Sequence, residues 1–534
     1  MKSDTRSLVR HRGSSRNIAP SRKDATQRNV GRVVLSALFA LVLTVACTHN
    51  RRGAEFRNSL QSFTEHLDER IPPLMDQYDV PGVSIALIHK GKAVWLNAYG
   101  YADPEHRRKM TVDAVYRVES ISKSVTAWGV MRLVEQGLVD LDAPVQQYLG
   151  DWKFPESEYS ESKVTIRRLL SHNAGMPLGT IGVKVEYPPQ GNTPTLQDFL
   201  TSEARLFNEP GSGFLYSDTG FNLLELLIEE VTGRDFAEYM TNEVLIPLGM
   251  RDSSFAWDER RRPSIPIGYD LKGKSVPVYV YPAKASGGLF ATVEDIARFV
   301  SAEMTGSHYT ARRPLSQEGI RILHSPQVDI PGIYGIVSDS YGLGHFIENL
   351  PDGRQAIWHG GQGHGWMSHF HLVPESGDGI VILTNSQRSW PLMAQVLSDW
   401  AKWNGIGLVK MGRITYGIAI MRVLTSLVAL AALWQAVRLI QGLQSRDRTF
   451  APLSRNSRIA RLLQAMLGLN VIAALAWYAA QPYLIVSSIF PGIAGWTGIS
   501  FFGMSVVMIL SALFPHSDVR SHEAKEHGYK FNRR

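Results

Sequence analysis

One cysteine, Cys47, occurs in 534 residues. No disulfide can form within the chain, so its stability cannot rest on one. Acidic residues are scarce at the amino terminus. Residues 1–32 hold nine Lys or Arg against Asp4 and Asp24, which accounts for the whole formal charge of +7. The rest of the chain is near neutral, which excludes a nucleic-acid footprint. The third deficit is the largest. From Leu462 to Pro515 there is no Asp, Glu, Lys or Arg. A stretch of that length without charge is not a solvated protein surface.

Two regions are apolar enough to concern a membrane. Val33 to Cys47 is shorter than the roughly 20 residues a spanning helix needs and suits the apolar core of a signal segment behind the basic arm 1–32. It ends Thr44-Val45-Ala46-Cys47, similar to a bacterial lipoprotein processing site, although such sites usually carry Leu where Thr44 stands. Cys47 is thereby a candidate for lipidation. Ordinary cleavage and an uncleaved anchor are the other readings. In the carboxyl-terminal region, Ile414 to Val437 has Arg422 as its one charge, and the uncharged stretch is interrupted by Pro482, Pro491, Gly492 and Gly495. Three spanning helices are expected, at 414–438, 462–481 and 495–514. The loop between the first two carries Arg446, Arg448, Arg455, Arg458 and Arg461, and the tail 515–534 is also basic. The positive-inside rule then places loop and tail in the cytoplasm and the domain before residue 405 outside.

That domain, 55–405, carries the chemistry. Ser120-Ile121-Ser122-Lys123 opens a helical pattern from Val118 to Gln136. Residues i and i+3 share a helix face, so hydroxyl and amine can meet. A serine at the first turn also brings an unpaired backbone N–H to hold an oxyanion. Burial and the positive helix end favour a neutral Lys123 able to take a proton. Downstream, Tyr216-Ser217-Asp218 precedes a helical start and Trp358-His359-Gly360-Gly361-Gln362-Gly363 ends an apolar run.

In this order the three segments resemble the active-site motifs of the β-lactamase-related serine hydrolases: class C β-lactamases, low-molecular-weight penicillin-binding proteins, D-aminopeptidases and related esterases. Val80 to Ala86, Leu169 to Gly175 and Ala285 to Phe299 resemble further family segments. The resemblance spans roughly 60–405. It implies Ser120 as nucleophile, Lys123 and Tyr216 sharing the duty of base, and His359 as a catalytic residue in place of the third motif's lysine. It also implies the backbone N–H groups of Ser120 and Gln362 as oxyanion donors. Asp218, Gly360 and Gly361 would meet substrate, the glycines letting its backbone lie against the strand. Asp218 departs from the usual Asn. An ionised aspartate only accepts hydrogen bonds, so it disfavours a substrate amide carbonyl and either pairs Lys123 or binds a substrate amine.

The expected fold class is α+β: an antiparallel sheet flanked by helices with a helical insertion (β-lactamase/transpeptidase-like), followed by the transmembrane helices. A first helix over Phe56 to Tyr78, a hairpin turning at Lys90-Gly91-Lys92, strands Ser368 to Pro374 and Gly379 to Asn385, and a helix Trp390 to Trp403 frame it. His359, His364, His369 and His371 lie close in sequence, but no carboxylate or Cys completes a recognisable metal set, so no metal and no cofactor are expected. The expected function is a membrane-tethered, extracytoplasmic serine hydrolase of the bacterial cell membrane, acting on small-molecule or peptide substrates such as D-amino-acid peptides. A β-lactamase or D,D-carboxypeptidase, and a non-catalytic membrane sensor whose domain is acylated by ligand, are the alternatives. Oligomeric state is not legible.

Overall fold

The computed structural model describes residues 59–516 apart from 181–183, 305–312, 333, 453–456 and 481–484. The basic arm, the apolar run and Cys47 lie outside the described residues.

Largely apolar runs, buried along most of their length and broken by tight turns, build a nine-stranded antiparallel sheet. Its strands are β1 (Gly82–His89), β2 (Lys92–Asp103), β3 (Arg108–Lys109), β4 (Val328–Asp329), β5 (Ser340–Tyr341), β6 (Phe346–Asn349), β7 (Gln355–Gln362), β8 (Met367–Val373) and β9 (Asp378–Thr384). Their order is β3-β2-β1-β9-β8-β7-β6-β5-β4, so the first and last long strands pair at the centre, Val83 opposite Thr384. The β1–β2 turn has φ of 51° at Lys90 and 72° at Gly91, the two left-handed residues that a tight hairpin turn requires.

Helices cover both faces. On one side lie α1 (Leu60–Tyr78) and α6 (Trp390–Trp403), which bury Phe63, Leu67, Ile71, Leu397 and Trp400 against the sheet. On the other lie α2 (Ile121–Glu135), α3 (Asp218–Thr232), α4 (Val293–Ala302) and α5 (Gln317–Leu323), with much of the helical insertion. Burial follows the strand period. Trp358 faces the α1/α6 core, whereas Ile357 faces the α2/α4 core.

Three further helices follow: α7 (Arg413–Gln444), α8 (Arg458–Ala480) and α9 (Ile493–Leu513). All three are long and apolar enough to cross a membrane, with mean hydropathy of 1.9, 1.7 and 1.8 over their most apolar windows. The start of α7 is built into the second core through Ile414 and Ile418. A short helix, Ile485–Ile489, joins α8 to α9, and Ile489, Phe490 and Ile493 pack against that same core. At the opposite end, Arg448 donates to the Phe514 carbonyl at 3.1 Å and Arg461 to the Ala512 carbonyl at 2.8 Å. One end of the trio therefore abuts the sheet domain, and the arginine-rich loop caps the other.

Candidate active site

The chain enters α2 through a tight turn. Glu119 has φ of 49°, an uncommon conformation for a side-chain-bearing residue. Its buried carboxylate accepts from Arg117 Nε (2.9 Å), Tyr279 Oη (3.2 Å) and Tyr281 Oη (3.0 Å). Surroundings that fix the side chain hold the strained backbone, whose cost is of order 1–3 kcal/mol. Ser120 then occupies the N-cap position of α2 without capping it through its side chain, which leaves Oγ free. The segment 285–289 braces the turn: Ser122 Oγ accepts from Leu289 N–H at 3.0 Å, and Thr126 Oγ1 donates to the Ala285 carbonyl at 2.9 Å.

Lys123 is fully buried, and its Nζ lies 3.1 Å from Ser120 Oγ, 2.8 Å from the Ser286 carbonyl and 2.6 Å from Asp218 Oδ1. The amine donates to Ser120 Oγ and the Ser286 carbonyl and forms an ion pair with Asp218. Burial alone pushes the amine down, but Asp218 and then Tyr216 outweigh it, so Lys123 is held above the usual lysine range. The expectation of a neutral resting amine is thereby corrected. The reason is the carboxylate at position 218, a tertiary neighbour whose contact the linear spacing left open.

Tyr216 and Asp218 reach Lys123 from the entry to α3, while Ser217 between them turns away and caps the helix, accepting from Gly220 N–H at 2.9 Å. The Tyr216 hydroxyl lies in the neighbourhood of Ser120 and Lys123, with Lys123 Nζ 5.0 Å from the ring centre. Burial raises its pKa, Lys123 lowers it, and the balance stays above the usual phenol range. His172 supports the ring from behind at 4.3 Å between centroids, and its Nδ1 accepts from Ser217 N–H at 3.1 Å.

On β7, His359 is fully buried. Its Nε2 accepts from Tyr341 Oη at 3.0 Å and its Nδ1 donates to the Gly360 carbonyl at 2.9 Å. Burial and then the Lys123 charge hold it well below the usual imidazole range, so it is neutral. It lies beside Tyr216, 6.4 Å between ring centres, with both nitrogens already engaged. The room that the glycines make is filled by protein. A Cβ on Gly361 would meet the Val118 carbonyl oxygen at 2.1 Å, and one on Gly360 the Trp390 ring at 2.7 Å. Gly361 thus admits the nucleophile turn itself, where substrate had been expected. The β6–β7 pairing ends at Phe346 opposite Trp358, so His359 to Gln362 present an edge that β6 does not cover. The Gln362 side chain accepts from Trp390 Nε1 (2.9 Å) and donates to Ser488 Oγ on the short helix before α9 (2.6 Å).

Of the four clustered histidines, His369 and His371 stack at 5.7 Å between centroids, and among the described residues the four do not converge as a metal-ligand group. His369 and His371 sit fully buried among Trp358, Trp390 and Trp400, with no hydrogen-bond partner on any ring nitrogen; burial lowers both, His371 to about 3. His364 pairs Glu186 at 2.8 Å near the rim. Sequence reasoning missed Tyr341, the Ser286 carbonyl and the cage of Arg117, Tyr279 and Tyr281 around Glu119. None carries a local signal, because each is defined only by what it touches.

An antiparallel sheet between helical layers, with a serine at a helix start hydrogen-bonded by a lysine and flanked by a tyrosine, defines the class of serine hydrolases with penicillin-recognising relatives. The model of the β-lactamase family matches residues 67–397, and the chain belongs to that family. Among curated relatives, protein flp of Staphylococcus aureus (strain N315) is 26% identical over 437 residues, covering 79% of this chain and 83% of that one. Penicillin-binding protein 4* of Bacillus subtilis (strain 168) is 22% identical over 348 residues, covering 61% and 73%. Among solved structures, the octameric penicillin-binding protein homologue from Pyrococcus abyssi matches with TM-score 0.55 and 27% identity, over 64% of this chain and 78% of that one. A mutant of a class C β-lactamase matches with TM-score 0.55 and 20% identity, over 64% and 97%, a likeness of fold.

Proposed function

We propose that the chain is a membrane-tethered, extracytoplasmic serine hydrolase that forms an acyl-enzyme with small esters or amides, D-amino-acid peptides being the favoured substrate class. The observation that carries this reading is the contact of Ser120 Oγ with Lys123 Nζ at 3.1 Å and with Tyr216 at the start of a buried helix. Ser120 attacks the substrate carbonyl. In the form in which the Lys123–Tyr216 pair has given up one proton, that pair takes the Ser120 proton and returns it to the leaving group, and water later releases the acyl group. The backbone N–H groups of Ser120 and Gln362 hold the oxyanion. Tyr341 and His359 are positioning residues, filling the space behind the Tyr216 ring.

Asp218 decides among substrates. Its carboxylate is 26% exposed and pairs Lys123 with one oxygen. It offers acceptance alone, which suits an ammonium on the substrate and costs an amide carbonyl about 1–3 kcal/mol of lost pairing. This favours amino-bearing peptides and esters over β-lactams.

The membrane reading rests on α7, α8 and α9, and its orientation on the arginine-rich loop at the end remote from the hydrolase domain. Reporter fusions after Asn404, Ser454 and Arg534 should read out, in and in; an outside signal at Ser454 refutes the arrangement. For the chemistry, a fluorophosphonate or penicillin probe should label Ser120. Ser120→Ala should lose the label and about 10³-fold or more of ester turnover, with thermal unfolding unchanged. Undiminished turnover by that variant refutes the nucleophile assignment.

A further inference from the structure

Beside Trp128 of the nucleophile helix, three side chains from separate elements converge: Glu303 at the C-cap of α4, His324 at the C-cap of α5, and His345 in the turn before β6. Glu303 and His345 are fully buried, and the His324 side chain is 11% exposed. One donor atom from each lies within 4.8 Å of the others.

The hydrogen bonding around them leaves one element missing. His345 Nδ1 faces the Leu343 carbonyl at 2.9 Å and so must carry a proton. A neutral ring then presents the lone pair of Nε2, yet that atom lies 2.7 Å from Glu303 Oε1, a carboxylate oxygen that also accepts from Trp128 Nε1 at 3.1 Å. Lone pair against lone pair at that distance is repulsive unless a cation lies between or beside them. The other two atoms are equally exposed to this argument. Glu303 Oε2 and His324 Nε2 are buried, 3.8 Å apart, and neither has a hydrogen-bond partner. Two buried orphans facing each other each carry an uncompensated desolvation penalty.

We propose that Glu303, His324 and His345 form a binding site for a divalent transition-metal ion, zinc by the chemistry of the donor set. Two imidazoles and a carboxylate are a recurrent zinc set with a fourth position left for water. The backbone carbonyl that fixes the His345 tautomer is the outer-shell contact that metal-ligating histidines make. One ion satisfies Glu303 Oε2 and His324 Nε2 together and removes the His345–Glu303 conflict. It ties the ends of α4 and α5 and the β5–β6 turn to α2 through Trp128. The ion acts on the frame of the nucleophile helix and takes no part in the acyl transfer. The site is distinct from the buried pair His369 and His371, whose ring nitrogens have no hydrogen-bond partner.

The test uses the full chain in detergent, loaded with zinc, freed of excess by gel filtration and assayed for metal by mass spectrometry. The expected result is one tightly held zinc per chain and a higher unfolding temperature that a chelator reverses. His324→Gln should weaken zinc binding at least about tenfold and abolish the chelator effect, and because His324 Nε2 has no hydrogen bond to lose, the variant should still fold. Glu303→Gln should do the same if it folds. His106→Gln, at a solvent-exposed histidine, should change nothing. Absence of stoichiometric zinc in the parent chain, or equal zinc in the parent and in His324→Gln, overturns the proposal and leaves a proton as the cation, with His345 an imidazolium paired to Glu303.

Discussion

Helices α2 and α8 look alike in one respect: neither has a polar stripe that separates a wet face from a dry one. Their surroundings are opposite. In α2, twelve of fifteen residues are buried, including Ser122, Lys123, Ser124 and Thr126. In α8, Gly468 is the one buried residue, and Leu462, Leu463, Met466, Leu467, Leu469 and Trp477 are exposed. A helix without a polar face is dry all round, and two solvents can keep it dry: the protein interior or, on the proposed reading, lipid. The polar content separates them. Each buried hydroxyl of α2 has a tertiary partner, such as Ser124 Oγ donating to the Gly344 carbonyl at 2.7 Å. Helix α8 has no acidic or basic residue after Arg461.

Six substitutions probe that contrast. The largest effect is expected at Lys123, where the dry interior holds a charge for chemistry. Lys123→Met should lower acylation by about 10²–10⁴-fold, as loss of a general acid–base group does, measured by the rate of probe labelling. A drop of less than tenfold removes Lys123 from the proton path.

Leucine truncation separates the two kinds of dryness. Leu133→Ala in α2 opens a cavity in close-packed protein and should cost about 2–5 kcal/mol. On the proposed membrane reading, Leu469→Ala in α8 exchanges one lipid-facing side chain for another and should cost about 0.5 kcal/mol or less. Equal losses in thermal unfolding of the full chain would mean that α8 is packed by protein.

Hydroxyl deletion is the next, smaller probe. Thr126→Val strands the Ala285 carbonyl and should cost about 1–3 kcal/mol. Thr425→Val breaks the 2.7 Å contact with Thr497 between α7 and α9 and should cost about 0.6 kcal/mol, the average for such pairs in membranes.

The smallest change is a displaced pH profile. Asp218 raises the affinity of Lys123 for its proton, so ester turnover should rise as pH increases and the pair gives that proton up. Asp218→Asn leaves burial, which lowers Lys123, so the rising limb should move to lower pH. Turnover of penicillin-type amides should gain relative to esters, since an amide side chain can donate to their carbonyl. An unmoved limb would show that Lys123 does not titrate in the reaction.

Much of the frame was legible beforehand. The helix Trp390–Trp403 and the hairpin at Lys90–Gly91 follow from period and turn chemistry, and α1 begins at Leu60, four residues after its expected start, because Ser59 caps it. The three apolar helices run longer than expected, α7 reaching Gln444, since a helix continues into flanking polar residues that hydropathy does not count.

The sequence by itself determined the order Ser120, Lys123, Tyr216 and His359, the fold class and the three apolar helices. Those follow from local period, from spacing within a turn or from composition, all of which act over a few residues. Tertiary structure decided what each group does where it stands. Asp218 lies 95 positions beyond Lys123 and yet sets its charge, His359 is turned to Tyr341 with no free nitrogen, and Gly361 makes room for Val118. Charge state and spare hydrogen-bonding capacity belong to a neighbourhood, and only folding brings neighbours from distant positions within the few ångströms over which these forces act.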